Sequence, residues 1–597
     1  MGENTNSKDL LKILQSLEND KLNAIEKIHV AVITNVNLRP IFDIYLKHFL
    51  LQSKIDAEIS FLDFDDFFVR IYSQQSKLFH HEYDYILVLP NNYTFNDHLF
   101  RIPYQLEDKK LVNEIELVKQ NLQLFLQTIR NESDAIILWH LFEMPVNPIV
   151  LTNSNINNAP YHIIKDLNYF IEYELTKRNN SFVIDTNTLF HRFGSDFMYD
   201  KRQWHLSQLP YSKGGCRELT RYIASYIRIF IGKAKKCLVL DCDDLLWGGI
   251  VGEEGISNVH LSPFYPGSFY YEFQQEVLNF YNRGILIALC SKNNEPDVID
   301  MLQNHPHMLI KEYHLAAHEI NWDDKASNIT KIAKKLNISL DSIIFMDDTE
   351  LEIHQVRKLL PEVRAIHMPR EKPHLFKDKL LEEYDLSNHS LTTEDINRTK
   401  MYQEEEKRQN DRSLKSKESV EDYLKSLEMK VEISMASEMN ISRVAQLTQK
   451  TNQFNLTTIR CTEDDVKALC NNEHYDVIVI KLEDRFGNLG VIGTSFIRYG
   501  DDTAEIEQFI LSCRALGRSI EKILLAYIIK RVKSKGLKQI IGKYRVSPKN
   551  QQTSLFYQKN GFQKIDIEGN YTNFHCELSN YANLEQWRNW IECRSLI

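Results

Sequence analysis

The chain has 597 residues, 43% of them apolar and 26% charged, with a formal net charge of −10. That length exceeds a single hydrophobic core and implies two to four domains, and the negative balance argues against broad nucleic-acid binding or adhesion to anionic membrane. No window approaches the ~18 uninterrupted apolar residues of a membrane span, the first residues lack a signal peptide's apolar core, and nine scattered cysteines without paired spacing predict reduced thiols in a cytoplasmic protein.

In chain order, apolar runs at Ile28–Thr34, Ala57–Leu62, Tyr85–Pro90, Ala135–Trp139 and Phe182–Asp185 read as strands. Amphipathic stretches such as Leu111–Ile129 and Ile163–Leu175 lie between them, the pattern of a parallel α/β layer. A second α/β unit opens near Lys235. Its predicted strands are Cys237–Leu240, Ile285–Cys290, Met308–Ile310 and Ile343–Met346, with helices at Phe269–Asn282, Lys325–Leu336 and Ile353–Leu360.

Thr399–Ser419 is dense in Glu, Lys, Arg and Gln and predicts an exposed, solvated helical connector. Further strands are predicted at Met429–Ile433, Val477–Leu482, Val491–Tyr499 and Ala504–Ser512, then a helix from Ser519 to Lys535. A strand at Gln539–Arg545, a helix at Gln551–Lys559 and the turn Asn560-Gly561 complete the pattern. The expected organisation is α/β and multidomain: residues 1–232, 233–395, a connector at 396–428, and an α+β domain at 429–597.

The run Cys237-Leu-Val-Leu-Asp241-Cys242-Asp243-Asp244 carries the clearest chemistry. An apolar strand empties into carboxylates, and in open α/β sheets ligands bind at the carboxyl ends of strands. Two carboxylates two positions apart can supply a nucleophile, a proton donor and hard oxygen ligands for Mg²⁺. Three further segments follow in order. Ser291 closes the second strand, where its hydroxyl can hold a phosphate oxygen. Lys325 opens a helix, where its ammonium can balance phosphate and carboxylate charge. Asp347 and Asp348 close the strand Ile-Ile-Phe-Met and can complete the oxygen ligands of the metal. Metal and lysine together offset charge on a transferring phosphoryl group.

This order of motifs resembles the haloacid dehalogenase (HAD) superfamily of phosphatases. The resemblance implies Asp241 as a nucleophile forming an aspartyl-phosphate. It implies Asp243 as general acid and then base, also giving its backbone carbonyl to Mg²⁺. The expected metal set is therefore Asp241, Asp243, Asp347 and Asp348. The surroundings are similar to the FkbH-like family (HAD subfamily IIIC): Asp244-Leu-Leu-Trp247-Gly248-Gly249, Cys290-Ser-Lys-Asn-Asn-Glu295, Ile320-Asn-Trp-Asp-Asp-Lys325, and Thr448-Gln-Lys-Thr-Asn-Gln-Phe-Asn-Leu-Thr-Thr458. That family implies a glyceryltransferase/phosphatase of polyketide-type biosynthesis. Such an enzyme dephosphorylates 1,3-bisphosphoglycerate and loads glycerate as a thioester on a phosphopantetheinylated acyl carrier protein. Two positions depart from the family pattern: Asp244-Leu245 stands for Asn-Thr, and Thr349-Glu350 for Asn-Pro.

Cys242, between the two aspartates, is the candidate for a transient glyceryl thioester. Neighbouring carboxylates and strand alternation argue instead for a packed thiol. Cys290 is a lesser candidate, and direct attack by the carrier's thiol needs no enzyme cysteine.

Residues 429–597 resemble the GNAT acyltransferase fold. In that resemblance Arg514, Gly517, Arg518 and Ser519 form the turn whose amides hold coenzyme A or a carrier's phosphopantetheine at a helix start. The first domain resembles SGNH hydrolases or flavodoxin-like layers. It has Thr34-Asn35-Val36 where a nucleophilic serine belongs, and Asp200-Lys-Arg-Gln-Trp204-His205 in place of Asp-x-x-His. A non-hydrolytic scaffold is expected, with His205 an ordinary residue. The alternatives to glyceryl transfer are a phosphatase of another small phosphorylated metabolite and a non-catalytic carrier-docking factor.

Overall fold

The computed structural model describes residues 13–15, 17, 21, 24–39, 41–62, 82–100, 107–145, 160–387, 392–414, 419–547, 549–580 and 590–595. The chain divides into two compact units, Met1–Arg228 and Ile229–Ile597. Among the described residues no helix is long and apolar enough to cross a membrane.

In the first unit, β1 (Glu26–Thr34), β2 (Ile55–Leu62), β3 (Tyr85–Leu89), β4 (Ile136–His140) and β5 (Ser181–Ile184) form a parallel sheet in the order β2-β1-β3-β4-β5. Continuous buried runs such as Val30–Ile33 and Ile86–Val88 show both faces of this sheet covered, as parallel sheets require. All five strands lie within two residues of their sequence expectation.

The second unit opens with β6 (Cys237–Leu240), β7 (Leu286–Ser291), β8 (Leu315–Ile320), β9 (Ile343–Asp347) and β10 (Arg364–His367). Their parallel order is β10-β9-β6-β7-β8, so the acid-bearing end of β6 sits between the ends of β9 and β7. One expectation is corrected here: Met308–Ile310 is not a strand. Met308 and Ile310 are buried, but the N–H groups of Leu309 and Ile310 donate to the buried Gln274 side chain at 2.9 and 3.2 Å instead of a ladder. The strand is Leu315–Ile320, whose Ala, His and Glu content gives a weak strand signal.

The third sheet holds β11 (Met429–Met435), β12 (Tyr475–Asp484), β13 (Gly487–Tyr499), β14 (Thr503–Leu511), β15 (Gln539–Tyr544), β16 (Gln563–Glu568), β17 (Tyr571–Glu577) and β18 (Ile591–Ser595). It is mixed, in the order β16-β17-β15-β14-β13-β12-β11-β18. Helix Ile520–Ser534 buries Ile523, Leu524 and Ile528 in its main core. This α+β arrangement, with two parallel α/β sheets before it, is the fold class read from the sequence.

The connector departs from expectation. Helix Arg398–Leu414 is helical as read, but it is not a solvated face. Gln403 Nε2 donates to the Tyr313 and Leu315 carbonyls at 3.1 and 2.9 Å, at the edge strand β8. Arg408, 2% exposed, donates from Nε and Nη2 to the fully buried Asp484 at 2.7 and 2.8 Å. Arg518 adds a third contact to Asp484 at 3.1 Å and one to Glu405 at 2.8 Å. A buried carboxylate is costly unless paired and hydrogen-bonded, so the last residue of β12 recruits two guanidinium groups. Asp484→Ala removes the buried carboxylate that the two share, leaving them only the less buried Glu404 and Glu405, and should lower stability by ~3–5 kcal/mol in urea denaturation. A loss below ~1 kcal/mol would show that the cluster behaves as a solvated pair.

Candidate active site

Asp241 follows the last residue of β6, and its N–H still donates to the Met346 carbonyl of β9 at 3.0 Å. The chain then turns: Asp244 takes a left-handed conformation (φ 51°), and Leu246 N–H closes on the Cys242 carbonyl at 2.8 Å. This turn sends Cys242, Leu245, Leu246 and Trp247 into the core. Leu245, where the family pattern has a hydroxyl, is thus a packing residue.

Lys325 is the first residue of helix Lys325–Lys335, whose N-cap Asp324 accepts the Ser327 N–H. Its Nζ reaches Asp241 Oδ1 at 2.8 Å and Asp347 Oδ2 at 2.5 Å, with all three side chains buried. Carboxylate oxygens of Asp241, Asp347 and Asp348 all lie within 4.8 Å of one another. The Thr349 N–H fixes the other Asp347 oxygen at 2.8 Å. Three carboxylates against one ammonium leave two negative charges on an all-oxygen donor set, which suits a hard divalent cation such as Mg²⁺. Asp243 is outside this cluster: its side-chain oxygens accept from Trp247, Val251 and Asn293, and the metal role expected of it is that of its backbone carbonyl.

Burial and then Asp241 push the Asp348 carboxyl up to about 6. Asp347 moves the same way for the same two causes, against the pull of Lys325. Lys325 is raised: burial opposes its charge, but Asp241 and Asp347 outweigh that. Asp243 is likewise pushed up to about 6, first by burial, against hydrogen bonds from Val251 N–H and Trp247.

Ser291 ends β7 and is 3% exposed. Cys242 itself is 0% exposed, and burial followed by the Asp241 charge holds its thiol well above the usual range. A buried, protonated thiol lacks the thiolate character that acyl transfer needs. The thioester expectation for Cys242 is therefore corrected in favour of packing. Burial also raises Cys290, beyond the ordinary thiol range. Two residues that were not given roles from sequence stand against Asp243: Trp247 and Asn293, at 2.8 Å each. Both lie in the motifs quoted above, but spacing alone did not link them to the carboxylate.

In the first unit the positions that a hydrolase would use are tied up structurally. Asn35 accepts the Asn91 N–H at 2.7 Å and donates to the Asn91 carbonyl at 3.0 Å. Asp200 caps helix Lys201–Ser207, accepting from Arg202 and Gln203, and His205 is exposed. At the same carboxyl edge Tyr211 donates to Glu143 at 2.7 Å. Burial raises Glu143 to about 7.

In the third sheet Gly517 (φ 76°) and Ser519 (φ 63°) take left-handed conformations just before helix Ile520–Ser534. Gly517 is exposed. Arg514 touches Met401, and Arg518 is spent on Asp484 and Glu405. Strands β14 and β15 pair only as far as Ile506 and Gly542. Beyond that they part, and the chain fills the gap itself. Leu456 N–H donates to Phe509 O at 3.1 Å, Leu511 N–H to Phe454 O at 2.9 Å, and Arg545 N–H to Leu456 O at 2.7 Å. Asn550 Nδ2 holds the Asn455 carbonyl at 2.8 Å.

Residues 236–370 match the family model described as NIF, the NLI interacting factor-like phosphatases. The chain is similar to a crystal structure of the N-terminal part of a Bacteroides fragilis protein containing a phosphatase domain, complexed with Mg. The identity is 22% and the TM-score 0.58, over 64% of this chain and 99% of that one. This likeness shows a shared fold. The PaiA N-acetyltransferase of Thermoplasma acidophilum in complex with coenzyme A aligns at 19% identity and a TM-score of 0.19, over 25% of this chain and 98% of its own. The ribosomal-protein-S18-alanine N-acetyltransferase of Escherichia coli aligns at 13% and 0.21, over 26% and 97%. No curated protein matches the chain.

The raised carboxyls fix a pH dependence. Asp348 moves from 3.8 to about 6 on folding, so between those values the metal-free folded chain binds more protons than the unfolded one. Its stability then falls as pH rises through that window. Metal binding requires ionised carboxylates. Added Mg²⁺ should therefore raise the thermal-unfolding midpoint more at about pH 7.5 than at about pH 5. Equal shifts at both would contradict the assignment of these carboxylates.

Proposed function

We propose that the β6–β10 domain is a Mg²⁺-dependent phosphatase working through a phosphoaspartate at Asp241. The observation that carries this reading is the buried Lys325 ammonium bridging Asp241 and Asp347, with Asp348 alongside, at the ends of two central strands. The match of residues 236–370 to a phosphatase family, and the Mg in the Bacteroides fragilis structure, support it. Asp241, Asp347 and Asp348 would hold Mg²⁺, which would supply positive charge to offset that of a transferring phosphoryl group. Asp241 attacks phosphorus and the P–O bond to the leaving oxygen breaks. Asp243 protonates that oxygen, then takes a proton from the water that releases phosphate.

The FkbH-like motifs extend the proposal to 1,3-bisphosphoglycerate and a phosphopantetheinylated acyl carrier protein, in polyketide-type biosynthesis. The two phosphates then have different fates. The acyl phosphate at carbon 1 is the activated bond, and removing it hydrolytically would discard the activation. With Cys242 packed, the carrier's own thiolate attacks carbon 1 and expels phosphate. The ester phosphate at carbon 3 is the one that suits Asp241, because an alkoxide leaving group needs a proton from Asp243. The carrier's arm would meet the exposed backbone at Gly517 and not Arg518, since Arg518 already serves Asp484.

Intact-mass analysis of a phosphopantetheinylated carrier, incubated with full-length protein, Mg²⁺ and 1,3-bisphosphoglycerate, should show a glyceryl adduct. With Asp241→Asn the adduct should retain its carbon-3 phosphate, and phosphate release from 3-phosphoglycerate should fall at least ~10³-fold, within the range seen when a catalytic group that acts as part of a unit is removed. A glyceryl adduct free of phosphate from Asp241→Asn would overturn the nucleophile assignment. Phosphate release by the wild type without any adduct would reduce the proposal to a phosphatase of another small metabolite.

A further inference from the structure

The carboxylate of Asp243 is held by three donors, two from the stretch that follows it and one from the loop after β7. Its Oδ1 accepts the Trp247 indole N–H at 2.8 Å and the Val251 backbone N–H at 3.1 Å. Its Oδ2 accepts from Asn293 Nδ2 at 2.8 Å. Trp247 is fully buried and Asn293 is 5% exposed, so neither donor is easily exchanged for water. The orientation of the Asn293 amide is fixed in turn. Its Oδ1 accepts the Asn294 N–H at 2.9 Å, just before helix Glu295–Asn304 begins, which leaves Nδ2 facing Asp243.

A carboxylate offers about four acceptor positions, two on each oxygen. Both positions on Oδ1 are filled, and one of the two on Oδ2. We infer that Trp247 and Asn293 are positioning residues that confine the transferable proton of Asp243 to the single open position on Oδ2. The inference rests on the phosphatase reading above and deepens it by locating the proton. Without Asn293 the proton has two positions on Oδ2, and the carboxyl is held through Oδ1 alone. Protonation of the leaving oxygen then loses its alignment, while the Asp241–Lys325–Asp347 cluster, which touches neither Asn293 nor Trp247, keeps its contacts.

Leaving-group dependence separates this role from a merely structural one. An alkoxide leaves only with a proton, whereas p-nitrophenolate leaves readily without one. Full-length Asn293→Ala with Mg²⁺ should lose about 100-fold in kcat/KM toward an alkyl phosphate such as 3-phosphoglycerate, at the low end of general-acid contributions. The loss toward p-nitrophenyl phosphate should be at least about tenfold smaller. The Mg²⁺-induced shift of the unfolding midpoint should match that of the wild type. Trp247→Phe keeps the buried ring and removes only the N–H donor, so it should show the same selective loss even if Asn293→Ala does not fold. Equal losses for both substrates, in either variant, would overturn the inference while leaving the phosphatase reading intact. A wild-type protein that hydrolyses neither substrate would remove both.

Discussion

One buried ammonium holds the middle domain's chemistry together. Lys325 lies between Asp241 and Asp347, which sit at the ends of two hydrogen-bonded strands, β6 and β9. Without a cation the two carboxylates would repel one another across a buried site. With Lys325 alone, the cluster of Asp241, Asp347 and Asp348 still carries excess negative charge, and a divalent ion is the natural complement. The ends of the strands, the helix that begins at Lys325 and the loop that carries Asp348 are thus tied to a single electrostatic requirement.

A second buried charge cluster does a different task. Asp484 receives Arg408 from the connector helix and Arg518 from the turn before helix Ile520–Ser534. The helix that supplies Arg408 also braces β8 through Gln403, so the charged connector is a structural clamp between two sheets. The same economy of groups explains why Arg518 is not free to meet a phosphate. In the neighbouring gap between β14 and β15, unpaired strand edges are a standing invitation to an extended ligand. Phe454–Leu456 satisfies them from within the chain.

Much of this was legible in the sequence. Apolar runs located the five strands of the first sheet, because parallel strands buried on both faces need continuous hydrophobic segments. The order of Asp241, Ser291, Lys325 and Asp347-Asp348 located the site, because each follows or opens an element whose end faces the same edge. What stayed hidden depended on tertiary partners. Arg408 looks like any solvated arginine until Asp484 is placed beside it. Met308–Ile310 looks like a strand until Gln274 takes its amides. Cys242 sits between two catalytic candidates in sequence, yet a left-handed turn at Asp244 directs it into the core. The contacts of Trp247 and Asn293 with Asp243 span 4 and 50 positions, and nothing in the residue types announces them.

The central claim is that Asp241, Asp347 and Asp348 hold one divalent cation beside Lys325. The most direct measurement is a crystal structure of the full chain grown with Mn²⁺ in place of Mg²⁺, read by anomalous scattering. The account predicts one strong peak within coordination distance of oxygens from Asp241 and one or both of Asp347 and Asp348, with the Asp243 carboxylate still bonded to Trp247 and Asn293. A cation bound elsewhere with this cluster empty, or an Asp243 side chain swung in to ligate it, would contradict the account.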